Sequence, residues 1–170
     1  PMALAKVTVF ETGTNQWRFM DSWPPKEAVR SAVYFQSKGG LSFTLPKANL
    51  ESTVSEWISD PTKPVPYTMD ITFNYSRTYM TEDQRFASSR PDVLVFETEP
   101  LENDLTIAGP LKVHLFVSTS GTDSDFTVKI IDVFPNDALT PPDSPKNWNA
   151  GGYQMLVRGD TLRGKYRNSY

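Results

Sequence analysis

Cysteine is absent from the 170 residues, and histidine occurs once, at His114. The first absence removes disulfides, thiolate metal sites and cysteine nucleophiles together. It leaves the compartment open, because secreted and cytosolic chains can both do without cysteine. One histidine with no thiol also gives zinc too few of its usual ligands. Serine hydrolysis needs a nucleophile, a base and usually an acid to orient the base. The Gly-x-Ser-x-Gly turn that carries the nucleophile of α/β-hydrolases occurs nowhere. His114 lies on the polar side of an alternating run, where a solvated or structurally bonded imidazole is expected rather than a catalytic base.

Long apolar runs and strong charge are missing too. Nothing approaches the roughly 18 apolar residues of a helical membrane span, so no membrane partner is expected. The opening PMALAKVTVF has no basic stretch followed by a long apolar core, and is not read as a signal peptide. A formal charge of −3, without a Lys/Arg cluster, gives no footprint for nucleic acid. The glycines form no phosphate-binding loop ahead of a helix.

What is present describes a globular β chain. Hydrophobic residues make up 38% and aromatics 12%, enough for a core in a single domain over residues 1–170. The 14 prolines and 9 glycines act as punctuation, and no stretch keeps a helical period for long. In Lys112–Ser118, Val113, Leu115 and Val117 share one face while Lys112, His114 and Ser118 share the other. Phe126–Ile130 alternates likewise, and Ile131–Phe134 breaks the rule, which predicts a bulge or burial on both faces. Shorter strands are expected at Lys6–Phe10, Ala32–Gln36, Leu41–Leu45, Asp92–Glu97, Leu105–Ile107 and Tyr153–Val157. Turn signals at Thr12–Asn15, Lys38–Gly40, Ala108–Pro110 and Gly151–Gly152 separate them. Leu50–Trp57 allows a weak helical turn, whereas the prolines of Asp60–Pro66 and Thr140–Pro145 enforce stiff loops. The pattern predicts an antiparallel sandwich or barrel.

Three acids, Asp123, Asp125 and Asp132, crowd the stretch SGTDSDFTVKIIDVFPND. Asp123-x-Asp125 matches the start of a calcium loop, but its glycine and glutamate positions hold Val128 and Phe134. A calcium site using backbone carbonyls stays open as a lesser reading. The stronger one is structural: Asp123 and Asp125 shape the turn that launches the strand, and Asp132 sits near its far end, within reach of a basic neighbour. A glycosidase carboxylate pair has no specific signal, since nothing sets two acids at the required separation. Trp17, Trp23, Trp57, Trp148, Tyr67, Tyr75, Tyr79 and Tyr153 offer a second choice. They either pack loops and interfaces or stack on sugars in a carbohydrate-binding β-sandwich module.

Several motifs occur together in order: Val9–Arg18 with Trp23-Pro24-Pro25, Asp60–Tyr67, Asp83-Gln84-Arg85, Arg90–Leu94, Ser118–Phe126, Lys129–Pro135 and Gly152–Asp160. As a set they resemble the C-terminal β domain of the X-Pro dipeptidyl-peptidase, cocaine esterase and α-amino acid ester hydrolase group of serine hydrolases. The Asp60–Tyr67 stretch is most similar to the amino acid ester hydrolase and glutaryl-acylase branch. The resemblance implies an all-β, galactose-binding-domain-like jelly-roll sandwich, partnered by an α/β-hydrolase domain of the same parent that precedes residue 1. It implies further that the parent acts on small ester or amide substrates, that the chain is inactive alone, and that no cofactor or metal is needed. A soluble periplasmic or secreted parent fits the same group, with homo-oligomeric assembly of that parent left open. The family domain continues past the position of Arg163–Arg167, so these residues are expected to be most of a domain. In the esterase branch a loop of this domain reaches the acyl pocket. By motif spacing that loop falls at Phe73-Asn74, with Tyr75 and Tyr79 as further rim residues, the alternative being an interface loop without ligand contact.

Overall fold

The computed structural model describes residues 5–47, 54–146 and 148–168. Within them strands carry most of the regular structure, so the fold class is all-β. Helix is limited, among the described residues, to one α-helical turn and a few 3₁₀ turns. Cα packing separates two compact units, Pro1–Thr53 with Phe96–His114, and Val54–Val95 with Leu115–Tyr170.

The first unit holds two small antiparallel pairs. Strands β1 (Val7–Glu11) and β2 (Gln16–Met20) form a hairpin in which Phe10 faces Trp17. The two rings meet edge to face at 5.3 Å. The intervening turn needs left-handed backbone at Gly13 (φ 89°) and Asn15 (φ 55°), which these two residue types tolerate best. Glu11 closes the turn by accepting the Thr14 hydroxyl at 2.6 Å and a two-pronged Arg18 guanidinium at 3.0 Å. Strand β2 was not expected from the sequence, although Gln16 to Phe19 alternate polar with aromatic residues; it brings no aliphatic run. Strands β3 (Tyr34–Phe35) and β4 (Leu41–Ser42) pair around a 3₁₀ turn at Ser37–Gly39.

Several expected strands contract or vanish. Asp92–Glu97 survives as one parallel bridge between Glu97 and Gly40, with the Leu41 N–H donating to the Glu97 carbonyl at 2.7 Å. Neither Leu105–Ile107 nor Lys112–Ser118 is a strand, so His114 is an exposed residue of irregular chain. Alternation reports only that two faces differ; a strand also needs a neighbouring backbone, and no described ladder includes these residues. Of the expected Leu50–Trp57 turn, residues 50–53 lie outside the described residues, and 54–57 are not helical.

The second unit is built on strands β5 (Asp125–Val133) and β6 (Gln154–Arg163), antiparallel over their whole length. The Thr127 and Thr161 hydroxyls, on directly opposed residues, lie 2.8 Å apart. Where the alternation fails the register does shift, but the extra residue is on the partner strand rather than within Ile131–Phe134: Ile130 opposes Arg158 and Ile131 opposes Leu156, leaving Val157 of β6 unpaired. Beside it, Val128–Ile131 are all half-buried, so the strand is covered on both faces there. A single helical turn, α1 (Arg85–Ser88), is fixed to β6. The Gln84 N–H donates to the Gln154 carbonyl at 3.0 Å, and the Ser88 hydroxyl to the Gln154 side chain at 2.6 Å. Every fully buried described residue belongs to this unit: Ala87, Ala150, Tyr153 and Leu156, with the polar Thr68 and Gln84.

Candidate functional site

The predicted pocket-rim residues fall on one loop of the second unit, between Tyr67 and Glu82, whose only regular piece is a 3₁₀ turn at Tyr79–Thr81. Phe73 is 109% exposed and Ile71 106%, so the tip buries nothing. Tyr75 is exposed and Tyr79 half-buried. The tyrosines form a chain of edge-to-face contacts, Tyr67 to Tyr79 at 5.8 Å and Tyr79 to Tyr75 at 6.0 Å. Hydrogen bonding with Tyr79, and the nearness of that phenol, push the Tyr75 hydroxyl above its ordinary pKa. Asn74 stays outside this cluster; its N–H donates to the Thr72 hydroxyl at 3.0 Å and shapes the tip.

Below the tyrosines sits Glu82, which the sequence reading did not single out. Its carboxylate accepts the Thr68 hydroxyl at 2.6 and 2.8 Å and the Met69 N–H at 2.9 Å. The Ser76 hydroxyl makes a longer approach at 3.5 Å. Ser76 in turn donates its N–H to the Tyr67 hydroxyl at 3.3 Å. Thr68 and Ser76 stand at the two ends of the exposed tip, and both reach the same carboxylate. The signal in the sequence was faint: hydroxyl residues spaced through Thr68–Thr81, followed by an acid one position before Asp83-Gln84-Arg85.

That motif is the foundation of the loop. Gln84 is 2% exposed, and both the nitrogen and the oxygen of its amide are hydrogen-bonded. The Nε2 group donates to the Glu82 carbonyl at 2.9 Å, and Oε1 accepts the Lys129 ammonium at 2.7 Å. Lys129 also lies over the Phe86 ring, 5.5 Å from its centre. Burial pushes the Lys129 ammonium below its ordinary pKa, and the Glu82 carboxylate partly offsets this. Burial raises Asp83, but hydrogen bonds from Arg85 and the Gln154 N–H outweigh it and hold the carboxyl below its ordinary value. The Tyr153 hydroxyl, just before β6, donates to the Thr81 carbonyl, a further tie to the base of the loop.

The three acids of the second motif are placed apart from this loop's network. Asp123 accepts the Ser124 N–H at 2.9 Å and faces Arg167 at 3.5 Å. Asp125 opens β5 and pairs across the ladder with Arg163 at 3.1 Å. Asp132 lies one residue from the end of β5, exposed and opposite Met155. Among the described residues it has no ion pair, so the basic neighbour expected for it is not found. An open depression of about 550 Å³ runs beside Asp123, Asp125, Arg163 and Lys165. Among the described residues no three His, Cys, Asp or Glu side chains are grouped to hold a metal.

Of the tryptophans considered for sugar stacking, Trp17, Trp23 and Trp57 are exposed and Trp148 is half-buried, and each of the last two meets a neighbouring ring of the second unit. Trp57 meets Phe126 edge to face at 6.4 Å, and Trp148 meets Tyr153 at 5.3 Å.

An all-β chain in which Asp123 and Asp125 are ion-paired and a polar network holds an exposed loop is a β module in class. Residues 2–169 match the family model of the X-Pro dipeptidyl-peptidase C-terminal non-catalytic domain, and the chain belongs to that family. It is 31% identical over 137 residues to cocaine esterase from Rhodococcus sp. (strain MB1 Bresler), covering 77% of this chain and 24% of that protein. An aminopeptidase structure from the marine sediment archaeon Thaumarchaeota archaeon superposes with a TM-score of 0.81 at 39% identity, over 99% of this chain and 27% of that one. An α-amino acid ester hydrolase structure gives 0.82 at 40% identity, over 96% of this chain and 27% of that one. The chain thus spans about a quarter of the length of these relatives.

Proposed function

We propose that this chain serves as the accessory β domain of a serine hydrolase acting on amino acid esters, amides or dipeptide-type substrates. The observation that carries the reading is the match of residues 2–169 to a domain described as non-catalytic, within relatives about four times as long. In this reading residues 1–170 are most of one jelly-roll domain, and an α/β-hydrolase domain of the same parent supplies serine, acid and histidine. That domain would perform acyl transfer: serine attack, an acyl-enzyme, then attack by water. The part left to this chain is to stabilise its partner domain and to present Phe73, Asn74, Tyr75 and Tyr79 at the rim of the acyl pocket. An exposed aromatic tip on a well-anchored base suits that task, because it offers apolar area at little conformational cost. A soluble periplasmic or secreted parent, assembled as a homo-oligomer, belongs to the same proposal.

The test is direct. The purified 170-residue chain is expected to leave a p-nitrophenyl ester and a phenylglycine ester unhydrolysed, while the parent protein cleaves at least one of them. Turnover by the isolated chain that survives removal of contaminants would overturn the accessory reading.

A further inference from the structure

We infer that Glu82 is a positioning residue for substrate selection: its carboxylate clasps the two ends of the 69–78 loop and sets where Phe73 and Tyr75 stand. The inference rests on the rim reading proposed above and adds to it the residue through which the rim is held.

The loop has few other means of holding a position. It forms no strand and no ladder, and its tip side chains are wholly exposed. Its placement therefore depends on the ties at its two ends. At the near end these are the Thr68 hydroxyl and Met69 N–H on Glu82; at the far end, the Ser76 hydroxyl on Glu82 and the Ser76 N–H on Tyr67. Thr68 is 4% exposed, so its hydroxyl has exchanged water for this one acceptor. A carboxylate suits the task better than a neutral group. It is acceptor-only with two oxygens, and hydrogen bonds to a charged acceptor are the stronger kind.

Glu82 is itself immobilised from the far side. Its own carbonyl accepts from the buried Gln84 amide, and the residues on either side of it are tied to Tyr153 and to Gln154 at the start of β6. The clasp therefore connects a mobile kind of segment to the most extensively paired strands of the unit. A change at Glu82 reaches the reacting centre only through the loop, so it should alter substrate preference rather than the chemical step.

The experiment uses the full-length parent hydrolase with Glu82→Ala, Glu82→Gln and Phe73→Ala. Steady-state kinetics are measured on esters with a small and a bulky acyl group, and amide hydrogen exchange over residues 69–78. For Glu82→Ala we expect KM for the bulky ester to rise about tenfold with kcat nearly unchanged, matching Phe73→Ala. Exchange in the loop should rise about tenfold, with β5 and β6 still protected. Glu82→Gln, which keeps one carbonyl acceptor, should recover part of both effects. If Phe73→Ala raises KM but Glu82→Ala leaves KM and loop exchange at wild-type values, the clasp is wrong. If Phe73→Ala leaves KM unchanged while Glu82→Ala raises loop exchange, the rim reading fails instead, and the role in selection falls with it. General loss of protection across β5 and β6 in Glu82→Ala would make Glu82 a core residue and overturn the positioning role.

Discussion

Gln84 shows how one polar side chain can replace a larger apolar core. It is buried, yet each of its side-chain groups has a partner, so its desolvation is compensated. Its neighbour Asp83 makes the unit sensitive to acid. A carboxyl whose folded pKa lies below its ordinary value of 3.8 stabilises the folded state fully at pH values well above that figure. The contribution is lost as pH falls through the folded pKa. Glu11, Asp60 and Asp92 are lowered in the same direction, by Arg18, Thr62 and Arg90 respectively. We expect Asp83→Asn to be less stable than wild type at neutral pH, with the gap narrowing below about pH 4. Urea unfolding midpoints at pH 7 and pH 3 check this; a gap of equal size at both would remove the linkage. Motif reading found Asp83 and Gln84 but not their roles, because a sequence does not say which side chains lie opposite them. Glu82 was missed for the same reason: its partners lie 6 to 14 positions away across an irregular loop.

The β5–β6 ladder is the element on which the second unit depends. Its alternation was readable along Phe126–Ile130, and the fault in that alternation marked the bulge. What could not be read was that the extra residue is Val157 on the other strand, since register is a property of the pair. The bulge lets Leu156 stay inside, 9% exposed, while Val157 remains outside at 43%. Leu156→Ala is therefore expected to cost about 2–4 kcal/mol of unfolding free energy, as for other buried leucines. Val157→Ala should cost well under half of that. Denaturant titration of the two variants compares them, and equal losses would mean that the bulge does not sort the two side chains. By contrast Lys112–Ser118 alternates as cleanly as Phe126–Ile130 and forms no strand, because its pattern has no described partner backbone.

Across the whole molecule the balance of buried and exposed apolar groups is unusual. The fully buried described hydrophobics are Ala87, Ala150, Tyr153 and Leu156, while Val29, Ile71, Phe73, Phe116 and Leu139 are almost wholly exposed. Where such apolar groups adjoin one another they serve interaction rather than a finished exterior. The isolated chain is expected to bind a hydrophobic dye such as ANS strongly and to self-associate as concentration rises. The same residues within the parent should be covered and bind little dye. Dye fluorescence and sedimentation on both proteins test this, and a monomeric, dye-silent isolated chain would contradict it.

Composition and motif order alone excluded thiol chemistry, identified an all-β chain and pointed to its family, because those features depend on which residues occur and in what order. They also marked the hairpin turn and the strand opposite the bulge, each written in local backbone preference or alternation. The paired backbones, the side chains that meet across 60 or more residues such as Ser88 with Gln154 and Tyr153 with Thr81, and the convergence of a loop on Glu82 belong to the tertiary structure. Those contacts exist only once distant segments are brought together, and no local pattern in the chain encodes that distance.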